Sequence, residues 1–214
     1  MRRLLPILLA LLLPLFAFPA LAEGENLLVN GSVDDVSASG FPTGWSQEVW
    51  FTDPSVSTLS VESGGVEGTC LCVRSASVND ARWAQTVNVE PNTIYRFSAM
   101  VRAEGIDAGG YGANLSISGL NVYSEMLYDT GGDWVELSIT GRTGEDQTSV
   151  TVYARIGGYG DDNLNTGTAW FDDLSLTALS DAEAGDVVYN FYADTAQSDW
   201  GEAAAEDEAE PERY

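Results

Sequence analysis

The sequence predicts an all-β domain, a sandwich or barrel of about ten strands. Three observations carry that prediction. Apolar and polar residues alternate with period two in many short runs. Clusters of Gly, Pro, Asn and Asp separate those runs at roughly ten-residue spacing. No stretch of the mature chain shows the 3.6-residue period of an amphipathic helix.

Asn26–Asn30 (NLLVN) reads as a short first strand, closed by the polar turn Gly31–Asp35. Phe41-Pro42-Thr43-Gly44 is a second turn signal. Trp45–Phe51 is a strand with aromatics at both ends, and Val56–Val61 alternates apolar residues with Ser and Thr. Thr69–Ser75 (TCLCVRS) is apolar on both faces, which suits a central strand. Arg82–Val89 alternates cleanly, and Ile94–Ala103 places Tyr95, Phe97, Ala99 and Val101 on one face. Asn114–Ser118, Asn121–Asp129, Trp134–Thr140 and Ser149–Ile156 follow, divided by Gly-rich turns. The last strand is Gly167–Leu176 (GTAWFDDLSL). Its Asp172-Asp173 sits between apolar residues, where aspartate is depleted and a buried carboxylate needs a partner. A calcium ion, which takes hard oxygen ligands, is one candidate; a strand end meeting water is the other.

The ends of the chain differ in character. Met1–Ala22 reads as a secretory signal: Arg2 and Arg3, an apolar stretch containing Pro6 and Pro14, then the small-x-small site Ala20-Leu21-Ala22. The expected organisation is 1–22 signal peptide, 23–179 β-sandwich and 180–214 acidic disordered tail or linker. Residues 180–214 hold eleven acids and one arginine, interrupted by Val187–Tyr192. That interruption suits a stray strand packing on the domain edge. With the signal removed, no apolar run reaches membrane-spanning length. A secreted or cell-surface location follows.

Charge narrows the partners. The formal net charge is −24, and loss of Arg2 and Arg3 with the signal makes it −26. There is no lysine and no histidine. Such a surface repels nucleic acid, anionic lipid and acidic polysaccharide, so a neutral ligand or a cation fits better. Without histidine there is no Ser–His or Cys–His pair and no His-bound zinc. A glycosidase needs only two carboxylates, but no strand carries them two apart on one face. The expectation is a domain without catalysis. Cys70 and Cys72 share a strand face with Cα atoms roughly 6.5 Å apart, at the edge of disulfide geometry. Two buried thiols are expected.

Aromatic residues are the more telling feature. Trp45, Tyr95, Phe97 and Trp134 are in phase with apolar neighbours and read as core. Trp50, Trp83, Tyr123, Tyr128, Tyr153 and Tyr159 are less easily absorbed. Exposed aromatics suit the apolar faces of sugars. Trp50 and Trp83 are therefore candidate stacking residues. Trp83 and Gln85 share strand parity with Val87 and Val89, so a twist or bulge would have to release Trp83 from the core.

The ordered set NLLVNGSVDD, FPTGW, GTCLCVRS, WAQTVNVEPNTIYRFSAMVRA, GGDW and GTAWFDDLSL resembles carbohydrate-binding modules of the family 4/9/22 type over roughly residues 26–179. The resemblance implies a jelly-roll β-sandwich of two antiparallel sheets, with a structural calcium and a concave glycan cleft. It places the calcium on Ser32, Gly68 and Asp172. It places cleft residues on Gln85, Tyr123 and Arg155. It implies a neutral polysaccharide or oligosaccharide ligand, of β-glucan or xylan type, and other modules in a larger polypeptide. A cysteine that some members carry near the last strand is Trp170 here, so that disulfide is absent. The individual sugar and linkage do not carry over. The competing expectation is a structural or protein-interaction domain of a cell-surface or membrane sugar-transferase assembly.

Overall fold

The computed structural model describes residues 24–193. The expected signal peptide and most of the acidic tail lie outside them. Ten strands form: β1 (Ser46–Val49), β2 (Ser57–Ser63), β3 (Thr69–Asn79), β4 (Ala81–Asn88), β5 (Ile94–Glu104), β6 (Ala113–Ile117), β7 (Val135–Arg142), β8 (Ser149–Ile156), β9 (Asn165–Leu179) and β10 (Tyr189–Asn190). They make a four-stranded sheet, β1-β4-β8-β6, and a six-stranded sheet, β10-β7-β5-β9-β3-β2. Every pairing is antiparallel except the two-residue edge pairing of β10 with β7. The jelly-roll expectation holds.

Alternation decides which side chains fill the space between the sheets. On β5, Tyr95, Phe97, Ala99, Val101 and Ala103 point inward and are buried. On β8, Val150, Val152, Ala154 and Ile156 do the same from the other sheet. Apolar burial of this kind supplies most of the folding drive, about 25 cal/mol per Å².

β9 explains the aspartate pair. A bulge interrupts its pairing with β5 between Ser98 and Met100, and Asp173 takes the left-handed conformation at φ 48°. One extra residue resets the alternation, so Phe171, Leu174 and Leu176 all reach the core. Asp and Asn tolerate that conformation better than most residues.

Two expected strands are not strands. Asn26–Asn30 makes one isolated bridge, Asn26 to Thr177. Side chains hold it instead. Asn26 Oδ1 accepts from the Leu28 and Leu176 amides, and its Nδ2 donates to the Leu174 carbonyl. Residues 121–129 form a loop over the β6 edge, touching it at Ser116–Tyr123 and Ala113–Leu127.

The stray edge strand expected within Val187–Tyr192 forms as β10, beside β7. Phe191 is buried, and its ring lies so close to Gly141 that a Cβ there would overlap it. The Phe191 amide donates to Arg142, its carbonyl accepts from Gln147, and Arg142 pairs with Asp181. The segment from Ser180 to Ala193 is therefore part of the domain edge. Among the described residues, no helix is long and apolar enough to cross a membrane.

Candidate functional site: the outer face of the four-stranded sheet

Register defines this face. Glu48 lies opposite Arg82, Arg82 opposite Arg155, and Arg155 opposite Asn114, so four polar residues form one row across the sheet. Ser46, Ala84, Tyr153 and Ser116 form the next row. Over the sheet lie Tyr111 and Tyr123, whose rings meet edge-on at 5.0 Å, and Tyr159.

A charge network runs beneath those rings. Asp80, buried in the β3–β4 connection, accepts through Oδ2 from Arg155 Nη2 at 2.7 Å and from Arg82 Nη1. Arg82 Nε donates to Glu48 at 2.9 Å, and Arg155 Nη1 donates to Ser116 Oγ at 3.2 Å. The Arg155 guanidinium sits 4.6 Å from the Tyr159 ring centre and 5.5 Å from that of Tyr123. Arg82 sits 4.6 Å from the Tyr153 ring. These are cation–π distances, and they fix the planes of the rings. The Tyr159 and Tyr123 edges stay half exposed. Burial pushes the phenols of Tyr123 and Tyr153 up, so both remain donors at neutral pH. Among the described residues, Asp80 Oδ1, Asn114 Oδ1 and Arg155 Nε lack a hydrogen-bond partner.

The sequence candidates divide. Tyr123 and Arg155 converge. Trp50 is 61% exposed, one residue past β1, and its amide donates to the carbonyl of Asp80, the residue that pairs with Arg155. Arg155, however, is 0% exposed, so the expectation that it hydrogen-bonds sugar hydroxyls from an open cleft is corrected. It braces the tyrosine roof. Trp83 is also corrected: its parity holds, no bulge releases it, and it is 0% exposed. Its indole N–H donates to the Cys72 carbonyl at 3.0 Å, across the core. Gln85 points inward too. Its amide pairs with the Val29 amide at 2.6 Å and the Val29 carbonyl at 3.0 Å, replacing a strand partner for the N-terminal segment. Glu48, Asp80 and Arg82 belong to this network beyond the sequence candidates. Arg82 was legible, since it alternates with core residues on a strand read correctly.

The calcium residues lie at the other edge of the molecule. Asp172 is buried, and burial holds its carboxyl above the usual range. Its Oδ2 accepts from the Val66 amide at 2.7 Å, and its Oδ1 from Asp173 at 2.8 Å. A Cβ on Gly65 would meet Asp172 Oδ2 and lie 2.7 Å from the Glu67 carbonyl oxygen and 2.8 Å from that of Thr69. Three oxygens thus converge on one glycine, an all-oxygen donor set that fits a hard cation. The Gly68 carbonyl faces the same turn, accepting from the Gly64 and Gly65 amides. Ser32 is exposed on the adjoining loop, which is tied to this turn where Thr69 Oγ1 donates to the Val33 carbonyl. Among the described residues, no three Cys, Asp or Glu side chains cluster to hold a metal. Cys70 and Cys72 are free buried thiols beside Trp170, as expected.

Comparison with known proteins places the architecture. No family model matches the chain. It is 35% identical over 101 residues to exochitinase 1 of Streptomyces olivaceoviridis, a match covering 47% of this chain. The matched part spans 15% of that relative. Among solved structures, it is similar to the enzymatically active domain of tailspike protein 4 of bacteriophage CBA120, with a TM-score of 0.52 at 11% identity, over 72% of this chain and 21% of that one. The fold is a jelly-roll β-sandwich. Two modules named as such are also similar. A family 61 carbohydrate-binding module in complex with β-1,4-galactotriose has a TM-score of 0.48 at 15% identity, over 72% of this chain and 99% of the module. A family 4 module has 0.46 at 16%, over 71% and 99%.

Proposed function

We propose that this chain is a non-catalytic carbohydrate-binding domain that takes neutral polysaccharide on the outer face of the four-stranded sheet. The observation that carries the reading is the braced aromatic rim. Tyr123 and Tyr159 are held by the buried Arg155, and the indole of Trp50, whose amide donates to the Asp80 carbonyl, is exposed. Rings fixed before binding lose little entropy on meeting a ligand. Their faces and edges suit the C–H surface of a sugar, and the Tyr hydroxyls and Glu48 suit its rim. The carboxylates on this face are committed to arginine, Asp80 to two and Glu48 to one. That arrangement positions side chains and supplies neither of the two working carboxylates of a glycosidase. The partial likeness to a chitinase supports a module of a larger glycan-directed polypeptide, and the N-terminal Arg-Arg and apolar run support secretion. A structural calcium at Asp172 Oδ2 and the Glu67 and Thr69 carbonyls belongs to the same reading. The ion would neutralise a buried carboxylate and tie β9 to the β2–β3 turn.

The accessory, sugar-free reading is favoured by one observation, the complete closure of Arg155. Gel retardation on soluble β-glucan, xylan, galactan and glycol chitin separates the two. The glycan reading expects retardation on at least one, weakened in Trp50→Ala. Loss of one stacking ring corresponds to about 0.5–1.5 kcal/mol, roughly 2- to 12-fold. Free migration of the folded protein on all four supports the accessory reading.

A further inference from the structure

The outer face of the six-stranded sheet carries a separate cleft of about 520 Å³, lined by Arg102, Glu104, Asp129, Gly131, Gly132 and Trp170. Its floor is built from register. Arg102 on β5 lies opposite Trp170 on β9, and Trp170 opposite Cys72 on β3. Trp170 rests on the buried thiols, with its indole N–H fixed by Glu62 at 2.9 Å. The Arg102 guanidinium sits 4.4 Å from the Trp170 ring centre and 5.0 Å from that of half-buried Trp134. Two indoles therefore hold one guanidinium plane.

That guanidinium is chemically unspent. Every other arginine among the described residues has an acceptor: Arg74 has Glu62, Arg82 and Arg155 have Asp80, Arg96 has the Glu183 carbonyl, and Arg142 has Asp181. Among the described residues, Arg102 has no hydrogen-bond acceptor, in a protein with 33 acids. Stacking leaves the N–H edge of a guanidinium free to donate. The loop facing it is pinned. Thr130 exchanges hydrogen bonds with Ala103, and Asp129 caps the Gly131 amide at 2.8 Å. Gly131 and Gly132 offer a wall without side chains, open enough for a flat ring to approach.

We propose that this cleft is a second saccharide site, taking a neutral pyranose unit. Hydroxyl groups both donate and accept, so they match a lining that mixes Arg102 with Glu104 and Asp129. A uronate would face those two carboxylates, and a cation would face Arg102. The proposal rests on the glycan-binding reading only for its choice of probes, because it shares no residue with the four-stranded face.

The test is a ¹H–¹⁵N titration of the full chain with cello-, xylo-, manno- and chito-hexaose, with oligogalacturonate as the anionic control. The expected result is saturable shifts at the Ala103, Glu104, Gly131 and Gly132 amides and the Trp170 indole N–H with a neutral hexaose. Arg102→Ala should weaken them about tenfold or more, the worth of one charge-assisted hydrogen bond. Trp134→Ala, at the edge of the cleft, gives a second reading should Arg102→Ala not fold. A Tyr123→Ala/Tyr159→Ala variant should leave these shifts in place, whatever happens on the opposite face. No shift at these groups with any neutral hexaose, shifts that survive Arg102→Ala or Trp134→Ala unchanged, or shifts with oligogalacturonate alone would overturn the proposal.

Discussion

Arg155 carries a full charge with no solvent contact, and Asp80 is the carboxylate that balances it. Removing one partner of a buried pair leaves an uncompensated charge, which typically costs about 3–5 kcal/mol. Asp80→Ala should therefore lower unfolding free energy by about that amount in urea denaturation. A loss within about 0.5 kcal/mol, the usual range for surface sites, would contradict the brace. The thiols behave oppositely, since they are buried neutral. Burial pushes Cys70 to about 11 and Cys72 to about 12. Their contribution is complete below the ordinary thiol range, about pH 8.5, and is lost as pH rises through 11 and 12. Native protein at pH 8 should not react with a thiol-specific disulfide reagent, whereas unfolded protein should release two equivalents. Rapid native labelling of either cysteine would contradict the burial. At this scale the sequence was readable where parity was obeyed. Trp83 and Gln85 share parity with Val87, and all three face inward. The aromatic excess points the other way for Trp83, because counting rings does not reveal how many a core absorbs. Asp80 was not legible: its role depends on two arginines that reach it from different strands.

The elements were legible as alternating runs, and their failures share a cause. Asn26–Asn30 and Asn121–Asp129 have strand-like composition but pair through side chains or isolated bridges. Local pattern does not show whether a sheet edge is available. Val187–Tyr192 shows the converse, a short run in an acidic stretch whose Phe191 inserts against Gly141. Truncation after Leu179 should cost about 3–5 kcal/mol, as expected for loss of a buried Phe. An unchanged denaturation midpoint would return the boundary to residue 179. The bulge in β9 sets the last element-scale prediction. Asp172 titrates above the usual carboxylate range because it is buried. Its effect on stability is therefore best below about pH 4 and is lost as pH rises through its folded value. A bound cation reverses that penalty. Calcium should raise the melting temperature at neutral pH, and Asp172→Asn should abolish the rise. An equal calcium response in the variant would remove Asp172 from the site.

At the scale of the molecule, two sheets place two unlike faces on one sandwich. The four-stranded face carries a braced tyrosine roof, and the six-stranded face carries a guanidinium held by indoles. The all-β class followed from period and turn spacing alone. Which residues share a face did not, because pairing joins strands far apart in sequence, such as β4 with β8 and β5 with β9. With a net charge of −24 and no lysine, the proposed binding of a neutral glycan should be nearly independent of salt. Isothermal titration of the protein and its Tyr123→Ala/Tyr159→Ala variant with neutral hexaoses at low and high salt decides whether the four-stranded face binds glycan. The expected dissociation constant is about millimolar to several micromolar for at least one hexaose, unmoved by salt and weakened in the variant. Affinity that is identical in the variant, or that collapses with salt, would contradict a neutral-glycan site on the four-stranded face.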